Sequence, residues 1–465
     1  MTQNGPISLW NALIASSNGF NSYISSAEAC VARSDLIESS TLGERGEELR
    51  GRSVVVMTTD QLSTALTLIE LDGIARRIVI CPNEARLDYL PYVIDATGAD
   101  AIVSDRTSLG ANFSHIQHFM PCPNAVVPRN YARNSQHRTE WITFTSGTMG
   151  RPKLVVHTLS SLIGAIKWGE VTQEKTVWGT LYDIRRFGGL QVFFRAALSD
   201  ASLVLSSPSE SAASYLARAG LLGVTHISGT PSQWRRALMS GSAHLIAPKY
   251  VRLSGEIADQ AILNHLRQVY PHAQIVHAFG SSEAGTVFEV KDGIAGFPAS
   301  LIGQVMSVEM KVENQTLHVR SSRTASCYLG KDAPALRGAD GFVDTGDMID
   351  LREGRYHFVG RRDGRINVGG LKVHPEEIEA VINRHPEVQM SLVRAKKNPV
   401  TGAVVVADVV LSSPPKPGSG SERAFHSDIL QFCRQSLPPH KVPALIRFVS
   451  SLALAESGKM MRRLS

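Results

Sequence analysis

Four stretches of this chain carry residue types that could grip a polyphosphate, a sugar and a reacting carboxylate. The run Thr143-Phe-Thr-Ser-Gly-Thr-Met-Gly-Arg-Pro-Lys153 interleaves hydroxyls with glycine. A backbone of that kind can bend until N–H and O–H groups surround phosphate oxygens, and Lys153 adds a point charge. The Walker spacing G-x-x-x-x-G-K-[ST] is absent, and a hydrophilic surface turn uses the same residues, so on composition alone both readings stand. In His277-Ala-Phe-Gly-Ser-Ser-Glu283 the aromatic face of Phe279 suits a purine, and the hard carboxylate of Glu283 suits magnesium. A core ring and a solvated acid fit those two positions as well. Asp344-Thr-Gly-Asp347 offers a carboxylate able to accept two hydroxyls, in a turn type common between strands. Lys459, near the C-terminus, is on its own an ordinary solvent-facing lysine.

The elements that must position these residues alternate between β-branched runs and helical patterns. Strands are expected at Ser53–Met57, Arg77–Ile80, Ala101–Val103, Ser202–Leu205 and Gln274–His277, with helix-period stretches at 61–71, 159–169, 210–219, 231–239 and 257–269. That alternation implies an α/β architecture with mostly parallel sheets. After residue 300 the texture shifts to short strands, glycines and tight turns. A helix opens at His374-Pro-Glu-Glu, with proline at its start and acids in its first turn. The Ser/Pro/Gly run 412–421 reads as a surface loop ahead of a helix at 422–436. The boundary is placed at 360–364, giving a large domain over 1–360 and a small one over 361–465.

Composition excludes several classes. With 465 residues, 43% hydrophobic and 19% charged, the chain reads as globular and too long for one small core. Its net charge of +6 suits anionic small molecules, and no Lys/Arg block marks it for nucleic acid. Five scattered cysteines without CxxC spacing argue against a zinc site or disulfide framework. Neither a secretory leader nor a membrane span is read, so a cytoplasmic location is expected.

The segments in their order resemble the signatures of the adenylate-forming superfamily, which includes acyl- and aryl-CoA ligases, peptide-synthetase adenylation domains and luciferases. Thr145–Lys153 is similar to T-S-G-[ST]-T-G-x-P-K, departing at Met149, where a small hydroxyl residue is usual. His277–Glu283 looks like the Y-G-x-T-E segment, Asp344–Asp347 like T-G-D, and Ser254-Gly-Glu256 like a small-residue turn beside adenine. Gly360-Arg-Arg-Asp363 through Glu379 resembles G-R-x-D-x-x-I-x-x-G-G-x-x-[VI]-x-P-x-E-I-E. Leu437–Pro443 resembles L-P-x-Y-x-V-P, and Ser457-Gly-Lys459 with Arg462 resembles S-G-K-x-x-R.

The resemblance implies a large domain of mostly parallel sheets flanked by helices, a β-barrel-like part, and a small mobile α+β domain. It implies that Thr145, Ser146, Gly147, Thr148, Gly150 and Lys153 hold the phosphates of ATP. Gly255, Phe279 and Gly280 would lie along adenine, Ser282 at the α-phosphate, and Glu283 on Mg²⁺. Asp347 would take the ribose hydroxyls, and Arg361 the ribose or a phosphate. Asp363 would be the hinge, Gly369 and Gly370 would lie beside the thiol path of coenzyme A, and Lys459 would be the adenylation lysine. The implied reaction joins a carboxylic acid to AMP and then passes the acyl group to coenzyme A. Loading of a carrier-protein phosphopantetheine is the alternative acceptor, and an idle nucleotide-binding protein is a third reading. For the acid pocket the candidates are Arg186, Gly188, Gly189, His277 and Ala278; Arg186 stands where many CoA ligases carry a histidine, and its pairing with Asp183 is an equal option.

Overall fold

The computed structural model describes residues 8–15, 21–83, 85, 87–107, 113, 115–129, 133–145, 152–167, 174–304, 307–399, 401–413, 421–455 and 457–462. Two large sheets dominate the first three hundred residues. The first has seven strands, in the order Cys327–Leu329, Leu154–Thr158, Glu140–Phe144, Arg77–Ile80, Ser53–Val56, Ala101–Ser104 and His118–Pro121. The pairs running from Glu140–Phe144 to His118–Pro121 are parallel. The second sheet has eight strands, in the order Gly285–Val290, Gln274–Ser281, Tyr250–Ser254, His226–Gly229, Val177–Thr180, Ser202–Leu205, Tyr23–Ser25 and Cys30–Ala32. Its interior is parallel and both edge pairs are antiparallel.

Packing between these sheets explains the sequence pattern. Helix Gln61–Leu71 is capped by Asp60, whose side chain accepts from the Ser63 amide, and every one of its residues is buried. A helix buried on all sides has no solvent face to offer, and this one shares its core with Phe193 and Phe194 of helix Phe187–Leu198 and with Trp141. Expected and observed limits agree for 61–71 and 231–239. The 159–169 pattern gives only Leu159–Ile163, followed by Gly164 at the C-cap.

After residue 296 the chain forms a five-stranded antiparallel sheet, Phe297–Pro298, Arg355–Arg361, Val343–Arg352, Thr316–Ser321 and Val308–Glu313 in spatial order. Among the described residues it stays open at both edges, so the barrel-like part is an open curved layer. Beyond Arg361 the pairing partners change. A ribbon of Ile366–Val368 and Leu371–Val373 precedes a three-stranded sheet, Val388–Asn398, Gly402–Leu411 and Leu445–Phe448, packed by helices Pro375–Ile382 and Ser421–Ser436. The expected loop over 412–421 lies, from 414 to 420, outside the described residues. No helix among the described residues is long and apolar enough to cross a membrane.

Candidate active site

The parallel strands of the eight-stranded sheet end on one side, and the turns that follow three of them carry candidate site residues. His226–Gly229 runs into Thr230, Tyr250–Ser254 into Gly255 and Glu256, and Gln274–Ser281 into Glu283. Ligands of α/β sheets sit outside such carboxyl ends. The Ser254–Gly255 turn is pinned by Tyr182, whose hydroxyl accepts from the Ser254 amide (3.0 Å) and donates to the Ser254 carbonyl (2.9 Å). Burial pushes that phenol up to about 12, so it stays a donor at working pH. Gly255 has φ of +87° and an added Cβ would stand 3.6 Å from Cε of Lys459. The left-handed backbone of the turn calls for glycine, and Lys459 packs at contact distance beside it.

Lys459 reaches this place from the far end of the chain. The Thr230 hydroxyl donates to the Gly458 carbonyl (2.6 Å), and the Met460 amide donates to Oε1 of Glu256 (2.9 Å). Lys459 is solvent-exposed, yet protein atoms crowd around its ammonium. That enclosure lowers its pKa, Glu256 and Asp347 lift it, and Arg361 and Arg186 oppose them. The five-stranded sheet contributes Asp347 and Arg361, which sit opposite each other in register on neighbouring strands and form an ion pair at 3.4 Å. Burial pushes the Asp347 carboxyl up to about 6 despite Arg361 and Lys459, with the charge of Glu283 adding to the rise.

Glu283 lies in the turn between strands Gln274–Ser281 and Gly285–Val290. Tyr328 donates its hydroxyl to Oε1 of Glu283 (3.2 Å), and the Lys153 ammonium lies 5.1 Å from the Tyr328 ring centroid. The Ser282 carbonyl accepts from Nε2 of His157 (2.6 Å), which ties this turn to strand Leu154–Thr158. Burial pushes His157 down to about 4, so it is neutral and carries its proton on Nε2. The Phe279 ring stacks on Phe358 (4.7 Å) and Phe288 (5.6 Å). Those two rings are only 6.5 Å from each other, so they do not sandwich Phe279 between opposite faces. Gly280 passes so close to Gly285 that an added Cβ would stand 2.7 Å from its carbonyl oxygen.

The remaining expected residues are placed as follows. Thr145 and Lys153 close the base of the hydroxyl-rich loop through Thr145 N–H to Lys153 C=O (3.0 Å). Ser146, Gly147, Thr148, Met149 and Gly150 lie outside the described residues. Asp183 pairs with Arg185, whose fork takes both carboxylate oxygens at 2.8 and 2.7 Å. Arg186 stays within electrostatic reach of Lys459. Gly188 faces the Tyr182 ring, whereas Gly189 is packed against the Asp183 backbone with no room for a Cβ, so its smallness serves packing. His277 is engaged by the Ile294 carbonyl (3.0 Å), and Ala278 is buried on the other face of the same strand. Asp363 is exposed in the short turn Arg362–Gly364 just past the five-stranded sheet. Gly369 and Gly370, at φ of +57° and +90°, form the exposed tip of the small domain's ribbon, held by Gly369 N–H to Thr401 C=O.

Three contributors escaped the sequence reading: Glu256, Tyr328 and His157. Glu256 lay in a quoted segment without a role. The other two act through partners that only the fold brings near.

Residues 54–325 match the family model described as AMP-binding enzyme, and residues 377–459 match the AMP-binding enzyme C-terminal domain. Mitochondrial acyl-coenzyme A synthetase ACSM5 of Mus musculus is 25% identical over 410 residues, covering 81% of this chain and 69% of that protein. A 2-succinylbenzoate–CoA ligase of Listeria innocua is 27% identical over 378 residues, covering 78% and 76%. The crystal structure of the anthranilate CoA ligase AuaEII in complex with anthranoyl-AMP superposes with a TM-score of 0.79 at 18% identity, over 98% of this chain and 96% of that one.

Proposed function

The chain belongs to the AMP-binding enzyme family, and from that footing we propose that it is an AMP-forming acid–thiol ligase. It activates a carboxylic acid with ATP and transfers the acyl group to coenzyme A. One observation carries the reading: Lys459, from the C-terminal end of the chain, comes within electrostatic reach of Asp347, Glu256, Arg361 and Arg186 at the strand ends. Relatives named as CoA synthetases and CoA ligases support coenzyme A as the acceptor.

In the first half-reaction an acid oxygen attacks the α-phosphorus of ATP, and pyrophosphate leaves. Asp347 accepts the ribose hydroxyls, Arg361 beside it orients ribose or phosphate, and the open face of Phe279 takes adenine. The hydroxyl-rich loop with Lys153 holds the leaving phosphates. Lys459 spans the acid oxygen and the α-phosphate and neutralises the charge that builds there. Magnesium fits Glu283: Tyr328 fixes one carboxylate oxygen, and no described residue engages the other, leaving a hard donor of the kind that shares magnesium with phosphates. Such an ion would offset polyphosphate charge. Among the described residues no cluster of three or more His, Cys, Asp or Glu forms a protein-only metal cage.

In the second half-reaction the thiol attacks the acyl carbon and AMP leaves. The domain 361–465 turns about Asp363, taking Lys459 out and bringing the Gly369–Gly370 tip beside the thiol path. Arg186, Gly188 and Ala278 line the acid pocket. Five free cysteines support a reducing compartment, the cytoplasm. The test is purified protein with Mg·ATP, coenzyme A and a panel of aliphatic and aromatic acids, read by mass spectrometry. An acyl-CoA product with AMP is the expected result; thioester formed only on a phosphopantetheine carrier protein would overturn the acceptor.

A further inference from the structure

Two hydrogen bonds meet on the Glu256 carboxylate, and they come from different domains. Oε2 accepts from the Ser232 amide (3.0 Å) in the first turn of helix Pro231–Met239. A helix start leaves such donors without intrahelical partners, and its dipole favours an anion. Oε1 accepts from the Met460 amide, the peptide unit directly after Lys459. On the other flank of the lysine, Thr230 is also shared. Its hydroxyl accepts from Gln233 N–H as helix cap and donates to the Gly458 carbonyl. Gly458 has φ of +74° and rests on the Gln233 side chain with no room for a Cβ.

We propose that Glu256 is a positioning residue for the adenylation half-reaction, latching the segment that carries Lys459 onto the large domain and letting go when the small domain turns. The proposal rests on Lys459 being the adenylation lysine. The geometry gives the latch its direction: one oxygen is anchored within the large domain, so the bond that must break on rotation is the one to Met460. Arg235–Gln389 and Asn383–Asp259 contacts span the same interface away from the lysine, and can hold the domains together without placing the ammonium. Glu256 also faces the ammonium as an anion. The other charges around it are Asp347 from strand Val343–Arg352, Arg361 from strand Arg355–Arg361, and Arg186 ahead of helix Phe187–Leu198.

The test uses the full chain with E256A and E256Q. Amide hydrogen exchange over 457–462 needs no substrate: E256A is expected to exchange roughly tenfold faster there, the scale of one lost hydrogen bond to a charged group, with Gln274–Ser281 unchanged and E256Q intermediate. Unchanged exchange over 457–462 overturns the latch whether or not the chain adenylates. With an acid that supports turnover, E256A should lower kcat for acid-dependent ATP–pyrophosphate exchange more than it changes the KM for ATP. Thioester formation from supplied acyl-adenylate should be spared. In E256Q the alkaline limb of the exchange profile should move to lower pH, because the ammonium has lost a neighbouring anion. Equal loss of both half-reactions overturns the positioning role. Failure of the wild-type chain to adenylate any acid would refute the proposed function and leave the exchange result to decide the latch.

Discussion

Arg462 forks onto Glu379, its two terminal nitrogens reaching the two carboxylate oxygens at 2.8 and 2.7 Å. The pair joins the end of the chain to helix Pro375–Ile382, and the same guanidinium donates to the Val393 carbonyl (3.1 Å). Three residues after Lys459 the chain is thus fastened, through the Arg462 side chain, to the core that helix Pro375–Ile382 and strand Val388–Asn398 share, and Lys459 is expected to move with it. Burial raises the Glu379 carboxyl, and Arg462 opposes the rise.

Removing one partner of such a pair leaves a buried charge alone. R462A is expected to destabilise the small domain by about 3–5 kcal/mol. R462K should recover only part of this, since an ammonium cannot fork. Hydrogen exchange in strand Val388–Asn398 checks it, and equal protection in R462A and wild type would count against the pair's importance.

D347N should separate stability from function. The carboxyl rises from 3.8 to about 6 in the fold, so its ionised form is disfavoured there relative to the unfolded chain. The cost is present above pH 6 and is relieved as pH falls through 6 toward 3.8. At about 1.4 kcal/mol per pH unit it amounts to roughly 3 kcal/mol. At pH 7.5, D347N is expected to melt higher than wild type while its KM for ATP rises sharply. A lower melting temperature would show that the pair with Arg361 outweighs burial.

His157 should make the protein acid-sensitive in a defined window. The imidazole drops from 6.5 to about 4 in the fold, so it contributes stability in full above pH 6.5. That contribution is lost as pH falls from 6.5 toward 4, and totals roughly 3 kcal/mol. Melting temperatures of wild type and H157Q between pH 7.5 and 4.5 test this: the variant's slope should be shallower, and parallel slopes would refute it.

Y328F isolates the hydroxyl on Glu283, because the ring that Lys153 faces is kept. A loss of roughly tenfold to a hundredfold in kcat/KM for Mg·ATP is expected, the scale of one hydrogen bond to a carboxylate. Y328L removes both contacts and should cost more. Indistinguishable Y328F and wild-type kinetics would show that Glu283 needs no such partner.

Much of the architecture was legible because periodicity reports burial. Gln61–Leu71 and Pro231–Met239 have the expected limits, and each is closed at its start by a side-chain cap, Asp60 on the Ser63 amide and Thr230 on the Gln233 amide. Strand Gln274–Ser281 runs four residues beyond its apolar half, since Gly280 and Ser281 are held by pairing to Thr286 and Gly285 and not by burial. For the candidate site, ordered motifs singled out Asp347, Arg361 and Lys459, which the fold brings near one another. Glu256 was not readable, because its partners Ser232 and Met460 are a fold apart in sequence. Gly189 looked like open pocket space from its smallness; only the Asp183 backbone packed against it reveals the opposite use.

The most direct measurement compares K459A with wild type in the two half-reactions, using an acid that the panel selects. Acid-dependent ATP–pyrophosphate exchange should disappear in the variant, while coenzyme A thioester still forms from supplied acyl-adenylate. Undiminished exchange in K459A would contradict the central claim that this lysine, docked among Glu256, Asp347 and Arg361, performs the adenylation step.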